Sequence, residues 1–320
     1  MAGEKRITKR EKFLDTMNEI VPWEKWEEII RPYYPKGERG RPPIGITTML
    51  RVYLVQVWFN MSDEATEDAL YDSNAIRKFV GLNSDKRAPD ATTLLKFRHL
   101  LEEHDLCEEL FQSINDMLED KGCMMHGGTI VDATIIAAPS STKNREGKRD
   151  PEMHQTRKGN QWFFGMKIHI GVDAGTGYTH SLVATSANAS DISQAEKLLR
   201  DDDDVVYGDA GYVGIEKRPE IVEHERKSNI KFYINRRPGG LKKQYKEGTI
   251  GYQFEREIEK RKSSVRSKVE HPFRFVKGIF GYSKVVYRGL KKNLCRFQTL
   301  FASANLLMYA LADRACPTTA

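Results

Sequence analysis

One apolar stretch decides the fold of this chain: residues 129–136, which read Thr-Ile-Val-Asp-Ala-Thr-Ile-Ile. The stretch is rich in β-branched residues and has the length of one strand, so it predicts a buried β-strand. Its single charged residue, Asp132, has apolar neighbours, and burying an uncompensated carboxylate there would cost free energy. Metal coordination would remove that cost. The alternative is an Asp at a strand edge that hydrogen bonds with a neighbouring loop.

Further strands follow on the C-terminal side of this stretch. Residues 165–173 and 178–185 are strand-like and are joined by Ala-Gly-Thr-Gly, which predicts a β-hairpin. The next elements alternate between helix and strand, over residues 192–199, 205–208, 215–224 and 230–234. This order predicts an α/β fold with a mixed five-stranded sheet flanked by helices.

The chain before the sheet is predicted to be helical. Amphipathic stretches cover residues 7–20, 46–60, 63–79 and 91–118. A run of helices ahead of a mixed region indicates an accessory N-terminal domain. Residues 294–312 are apolar enough to form a closing helix, which we expect to pack on the sheet.

Composition limits the class of protein. The chain has 320 residues and four widely spaced cysteines, so neither a zinc site nor a disulfide framework is indicated. We expect reduced thiols at Cys107, Cys123, Cys295 and Cys316. The N-terminus is charged, and no apolar run approaches the ~18 residues of a membrane span. We therefore expect a soluble cytoplasmic protein that does not bind membranes.

Positive charge is concentrated in one segment. The whole chain has a net charge of +6, whereas residues 226–292 contain 20 Lys and Arg against 5 Glu, with aromatic residues interleaved. A second basic stretch, residues 140–158, is predicted to be either a disordered loop or an arm that faces DNA. Clustered cations of this kind favour contact with a phosphate backbone over the alternative, a solvated charged face.

Two more carboxylates lie in positions that suit chemistry. Asp209 follows strand 205–208, and ligand sites in α/β sheets gather at the carboxyl ends of strands. The alternative for Asp209 is a turn residue that caps the next helix. Glu270 shares a helical face with Arg266 and Lys277 at 100° per residue, although it could simply be the salt-bridge partner of Arg266. Pro272 is predicted to bend this helix just beyond Glu270.

The remaining acidic candidates are predicted to be structural. Asp173 and Asp191 both lie beside turn residues. The run Asp201 to Asp204 is predicted to be a solvated loop, because four consecutive carboxylates cannot all face one ion.

Three sequence features carry a family resemblance: VDATIIAAPSSTKN, GDAGYVG and the Arg-x3-Glu-x6-Lys spacing of Arg266, Glu270 and Lys277. Together they resemble the DDE transposases of the insertion-sequence-five family, within the insertion-sequence-four superfamily. The resemblance spans most of the chain, since it includes MLRVYLVQVWFNMSDEATEDALY, PDATTLLKFRHLLE, DPEMHQTRKGNQWFFGMKIHIGVD and VEHPFRFVKGIFG. One position departs, because Ser263 stands where the superfamily has a Tyr three residues before the Arg.

The resemblance implies a domain plan and a site. A helical N-terminal domain, residues 1–122, would bind DNA, dimerise or do both. A ribonuclease H-like catalytic domain would follow over residues 123–314, with a basic insertion near 236–254, and residues 315–320 would be a tail. The catalytic residues would be Asp132, Asp209 and Glu270, holding two Mg²⁺ ions for which Mn²⁺ could substitute. We expect DNA contacts from Arg266, Lys277, Arg274, Lys143, Arg157 and Lys158.

The implied activity is that of a bacterial transposase in the nucleoid-containing cytoplasm. It would bind the inverted-repeat ends of an insertion sequence, cleave a strand, and join the 3′-OH to double-stranded target DNA. A homodimer is expected because two ends must be brought together. Two alternatives stay open: a catalytically inactive, domesticated DNA-binding protein, which the intact acidic triad disfavours, and a metal-dependent nuclease of the same fold.

Overall fold

The computed structural model describes residues 6–37, 42–82, 87–143, 145, 147–237 and 239–315. The chain forms two compact units, one of residues 1–114 with 295–320 and one of residues 115–294. Residues 316–320, which hold Cys316 and most of the expected tail, lie outside the described residues. Among the described residues, no helix is both long and apolar enough to cross a membrane.

The secondary structure alternates between helical and sheet regions. The helices are α1 (Lys9–Ile20), α2 (Trp23–Ile30), α3 (Ile46–Trp58), α4 (Asp63–Asp72), α5 (Asn74–Phe79), α6 (Ala91–Glu103), α7 (Leu106–Asp120), α8 (Pro219–Val222), α9 (Gly240–Gln244), α10 (Ile250–Arg266), α11 (Glu270–Arg274) and α12 (Leu290–Ala315). The strands are β1 (Gly128–Ala137), β2 (His154–Lys158), β3 (Gln161–Asp173), β4 (Thr179–Ser186), β5 (Val205–Gly208) and β6 (Lys231–Ile234).

Local signals explain where the N-terminal helices begin and end. Ser62 and Asp90 cap α4 and α6, each side chain accepting a hydrogen bond from a backbone N–H three residues on. The predicted helix 63–79 is divided in two because Ser73 ends α4 and caps α5. The predicted helix 91–118 is also divided, because Asp105 adopts a left-handed φ of 52° between α6 and α7.

A half-buried ion pair joins three helices of the first unit. Arg98 on α6 donates to both carboxylate oxygens of Asp63 on α4, at 2.6 and 3.1 Å. Gln56 on α3 donates to the same carboxylate at 2.6 Å. These bonds fix the register of α3, α4 and α6 around an otherwise apolar core that includes Trp26 and Trp58.

The closing helix α12 belongs to the helical unit from Cys295 onward, whereas the sequence led us to expect it on the sheet. Its small polar side chains form hydrogen bonds with α3: Trp58 donates to Ser303 at 2.8 Å, and the Tyr53 hydroxyl lies 3.1 Å from that of Thr299.

The expectation of reduced thiols is wrong for two cysteines. Cys107 and Cys295 form a disulfide across 188 residues of chain, a separation that left no signal in the local sequence.

The second unit is built on a six-stranded mixed sheet, with β1 near its centre. The strand order is β2-β3-β1-β5-β6, and β4 also pairs with β3. Strand β1 is antiparallel to β3 and parallel to β5. The fold is therefore ribonuclease H-like, as expected, except that the sheet has six strands instead of five.

The additional strand, β2, lies in the stretch predicted to be a disordered loop or an arm. Its sequence, His-Gln-Thr-Arg-Lys, has none of the apolar pattern of a strand, yet it pairs antiparallel with the start of β3. Gly159 allows the tight reversal between the two strands through its positive φ of 60°. The hairpin is thus held by its turn and its backbone pairing, which apolar patterning does not reveal.

One acidic segment near the strand ends, the run Asp201 to Asp204, is more buried at Asp203 than expected. Asp203, predicted to be solvated, is 6% exposed and accepts a hydrogen bond from Thr129 at 2.8 Å. Arg200 pairs with Asp203 at 3.4 Å and with the buried Asp173 at 3.3 Å. These contacts close the loop between β5 and the 3-10 helix Asp191–Leu198, which takes the place of the helix predicted over residues 192–199.

Candidate active site

Asp132 lies on β1 beyond the point where β5 stops pairing. Strand β5 pairs only with residues 128–130 of β1, which leaves the edge of β1 beside Asp132 without a neighbouring strand among the described residues. Asp132 Oδ1 accepts a hydrogen bond from the Ala133 backbone N–H at 2.7 Å, and Oδ2 lies 3.3 Å from Arg266 Nη1. Burial raises the pKa of Asp132 to about 6, and the negative charges of Asp209 and Asp191 act in the same direction.

Asp209 comes directly after β5 and lies near Asp132. Its Oδ1 accepts a hydrogen bond from the Gly211 backbone N–H at 2.8 Å, so it caps the short 3-10 helix Ala210–Tyr212. The capping interpretation is thus confirmed, and it does not compete with a role at the site. Because Asp209 contributes to the raised pKa of Asp132, the two carboxylates lie within electrostatic range of each other.

Glu270 lies on a helical segment whose winding changes around it. Helix α10 passes into a 3-10 turn at Ser267–Val269, α11 begins at Glu270, and a π-helical turn follows at Phe275–Ile279. The winding therefore changes on both sides of α11, the helix that contains Pro272, and the bend predicted at Pro272 stays a prediction. A π-turn inside a helix often marks a functional position.

The two cations that bracket Glu270 both reach β1. Arg266 contacts Asp132, and Lys277 Nζ donates a hydrogen bond to Thr134 Oγ1 at 2.6 Å. Glu270 itself is exposed and forms no ion pair with the described residues, so the salt bridge considered for it with Arg266 is absent. Within the described part of the chain, no three Asp, Glu, His or Cys side chains are close enough to hold one metal ion.

The structure adds Asp191 to the neighbourhood of Asp132. Lys167 on β3 donates to Asp191 Oδ1 at 2.9 Å, and the charge of Asp191 raises the pKa of Asp132. The sequence predicted a structural role for Asp191, because turn residues surround it, and it gave no sign of the contact with Lys167, which is 24 residues away. Only the pairing of β3 with β1 brings the two acidic segments together.

A cleft lined by cationic side chains opens beside Asp209. Its walls come from the end of β6 and from α10, and its volume is about 490 Å³. The cations that line it are Arg236, Arg237, Arg256, Lys260 and Arg266. Two acidic side chains, Glu255 and Glu259, form ion pairs with Arg236 and Lys262, which fixes part of this wall.

The other residues predicted to bind DNA are spread over the same unit. Burial lowers the pKa of Lys277, and the nearby charge of Lys158 on β2 lowers it further. Arg157 is exposed on β2 and hydrogen bonds with its own turn. Arg274 and Lys143 are exposed. Arg266 and Lys277 therefore lie near Asp132, and Lys158 lies near Lys277, whereas no contact among the described residues joins Arg274 or Lys143 to that group.

Comparison with known families agrees with the ribonuclease H-like class that the sheet defines. Residues 124–306 match the family described as Transposase DDE domain, and residues 2–100 match the family described as Transposase domain (DUF772). Because the first match covers more than half of the chain, the protein belongs to the transposase DDE domain family.

One solved structure is similar, a piggyBac transposase synaptic complex with hairpin DNA. The match covers 96% of this chain and 76% of that chain, with 11% sequence identity and a TM-score of 0.49.

Proposed function

We propose that this chain is a DNA transposase of the insertion-sequence-five type. It would cleave DNA at the inverted-repeat ends of an insertion sequence and join the ends to target DNA. The observation that carries this proposal is the proximity of two carboxylates: Asp132, on the part of β1 that β5 does not pair with, lies within electrostatic range of Asp209 at the end of β5, and Asp209 lines a cationic cleft. Membership of the DDE domain family supports the same reaction class.

The donor set fits a divalent cation. Asp132 and Asp209 offer carboxylate oxygens, which hard cations such as Mg²⁺ and Mn²⁺ prefer. Their mutual repulsion, which helps to raise the pKa of Asp132 to about 6, is the kind of charge excess that a bound cation relieves. Asp132, Asp209 and Glu270 would hold two such ions, and the chemistry that the ions would supply is Lewis-acid activation of the attacking oxygen and charge stabilisation of the leaving oxygen.

The protein's own cations would place the DNA. The guanidinium of Arg266 suits a phosphate near Asp132, because it presents paired donors in a rigid plane. Arg236, Arg256 and Lys260 would bind the backbone along the cleft. In cleavage, water oxygen bonds to phosphorus and the P–O3′ bond breaks, leaving a 3′-OH and a 5′-phosphate. In joining, the oxygen of that 3′-OH bonds to a target phosphorus, the target P–O3′ bond breaks and a target 3′-OH is released, so no covalent protein–DNA intermediate is needed.

The assembly and the location belong to the same proposal. Two ends of one element must be held together during joining, which favours a homodimer on DNA in the bacterial cytoplasm, at the nucleoid. The helical N-terminal region, residues 1–122, would bind the ends, form the dimer or do both. Residues 123–314 would supply the catalytic domain and its insertion near 236–254.

Substitution of the triad tests this proposal. We expect Asp132→Asn, Asp209→Asn and Glu270→Gln each to lower Mg²⁺-dependent cleavage of element-end DNA by more than about 100-fold, because loss of an outer-shell partner alone costs 10–100-fold. DNA binding should persist in all three variants. Asp201→Asn, an equal charge change at an exposed loop position, is the control and should cleave normally.

Three results would contradict the assignment in different ways. Equal cleavage by wild type and a triad variant would remove that residue from the site. Cleavage without joining to target DNA would favour the nuclease alternative. Binding of element ends with no cleavage by wild type would favour the domesticated DNA-binding protein.

A further inference from the structure

A small space beside Gly211 is bordered by two carboxylates from separate segments. A methyl group at Gly211 would lie 2.9 Å from Asp209 Oδ1 and 3.8 Å from Asp191 Oδ2. Both oxygens thus face the same volume, and the glycine leaves it free of a side chain. Asp132 lies close enough for its pKa to respond to both neighbouring charges.

Asp191 is held in place from its other side. Lys167 Nζ donates to Asp191 Oδ1 at 2.9 Å and to the Ala189 backbone carbonyl at 2.7 Å. The Lys167 side chain is only 13% exposed, so this anchor is largely shielded from solvent. With Oδ1 bound in this way, Oδ2 is the oxygen directed toward Asp209.

Two buried polar atoms close to these carboxylates have no hydrogen-bond partner among the described residues. One is the hydroxyl of Tyr212, a residue 1% exposed whose pKa is raised by burial and by the charges of Asp191, Asp132 and Asp209. The other is Nδ1 of the fully buried His169, which lies 3.7 Å from Asp191 Oδ1. Buried polar atoms nearly always have a partner, so an unpartnered hydroxyl and an unpartnered ring nitrogen within electrostatic range of these carboxylates indicate a ligand or ordered water near Asp191.

We propose that Asp191 is a further cation-binding carboxylate of this site, sharing a divalent ion with Asp209 in the space beside Gly211. The inference rests on the proposed function and adds to it a ligand outside the predicted triad. Two carboxylates are enough, because Mg²⁺ is commonly bound by one or two carboxylates while water and substrate phosphates complete its coordination. Lys167 is then a positioning residue that orients Asp191.

Direct binding of Mn²⁺ to the DNA-free full-length chain tests this inference. Titration followed by the electron paramagnetic resonance signal of free Mn²⁺ gives affinity and stoichiometry independently of activity. We expect Asp191→Asn to weaken at least one bound Mn²⁺ by about 10-fold or more, as loss of a ligand or its support usually does. Asp201→Asn should bind as wild type does. Fe²⁺-generated hydroxyl radicals should cut the wild-type backbone near Asp191 and Asp209.

A second variant keeps every charge. Gly211→Ala places a methyl group in the space itself, so it should weaken Mn²⁺ binding in the same direction without removing a carboxylate. Circular dichroism establishes that each variant is folded before titration, and Gly211→Ala provides the test if Asp191→Asn fails to fold.

The outcomes separate this inference from the proposed function. If Asp191→Asn and Gly211→Ala bind Mn²⁺ as wild type does while Asp209→Asn loses it, Asp191 is not a ligand and the transposase proposal stands. If both variants lose Mn²⁺ but wild type neither cleaves nor joins element-end DNA, the cation site stands and the transposase proposal fails. Absence of Mn²⁺ binding by wild type would overturn the cation site.

Discussion

At the scale of single residues, Asp132 carries a large electrostatic cost at the site. Its side chain is 21% exposed, and it faces the negative charges of Asp209 and Asp191 while Arg266 compensates it directly. A carboxylate that functions by binding a cation is expected to be destabilised by burial and repulsion when no cation is bound. Such sites lower the free energy of unfolding of the free protein.

This cost predicts how pH and substitution affect stability. The pKa of Asp132 is about 6 in the folded chain, above its ordinary value of 3.8, so the ionised carboxylate destabilises the fold above pH 6. The destabilisation is relieved as pH falls from 6 toward 4, where the folded protein takes up the proton first. In metal-free buffer at pH 8, Asp132→Asn should therefore raise the free energy of unfolding by about 1–3 kcal/mol.

Denaturant unfolding in EDTA at pH 8 and pH 4 measures the effect. The difference between Asp132→Asn and wild type should nearly vanish at the lower pH. Glu270→Gln is the matched control, because Glu270 is exposed and the same exchange there should change stability little. If Asp132→Asn is less stable than wild type at pH 8, the stabilisation of Asp132 by its ion pair with Arg266 exceeds the destabilisation by burial and by the neighbouring carboxylates.

Sequence predicted part of this residue-scale picture, and the missing part has a physical reason. Asp132 and Asp209 were identifiable because each is a lone carboxylate in or after a buried strand. Asp191 was not, because its surroundings in the chain are those of an ordinary turn and its partner Lys167 lies on another strand. The close approach of Asp191 to Gly211 is likewise a tertiary contact that no local pattern encodes.

At the scale of elements, the segment from α10 to the π-turn decides what reaches β1. A uniform α-helix would place Arg266, Glu270 and Lys277 on one face, which was the basis of the prediction from sequence. The structure keeps Arg266 and Lys277 at β1 but inserts 3-10 and π turns between them. The sequence therefore grouped the two cations that contact β1, whereas it gave no sign of the changes of winding, which occur where Pro272 and Phe275 are buried.

The same segment predicts a salt dependence for DNA binding. Arg266→Ala and Lys277→Ala should each weaken binding of element-end DNA and reduce the slope of log affinity against log salt by about one for each phosphate that is no longer neutralised. Filter binding or fluorescence anisotropy over a range of salt concentrations measures the slope. Lys217→Ala, an exposed lysine outside the basic segment, is the control. Unchanged slopes would leave Arg266 and Lys277 as structural charges that hold β1.

At the scale of the whole molecule, charge is divided unevenly along the chain. The net charge of +6 hides the 20 cations and 5 carboxylates of residues 226–292. This distribution could be predicted without a structure, because charge counting needs no fold. The sequence could not predict that α12 belongs to the helical unit from Cys295 onward. An apolar helix packs equally well against a sheet or against other helices, and its apolar pattern does not indicate which of the two it contacts.

This charge distribution predicts where double-stranded DNA of any sequence binds. Arg256 and Lys260 are exposed on α10 and line the cleft beside Asp209. The double variant Arg256→Gln with Lys260→Gln should lower non-sequence-specific affinity and reduce the salt slope by about two, since each phosphate left without a protein cation retains its counterion. Lys197→Gln with Lys217→Gln removes the same charge from exposed positions outside the segment and should change the slope little. Equal losses of affinity from both pairs would mean that net charge alone, and not the cleft, attracts the DNA.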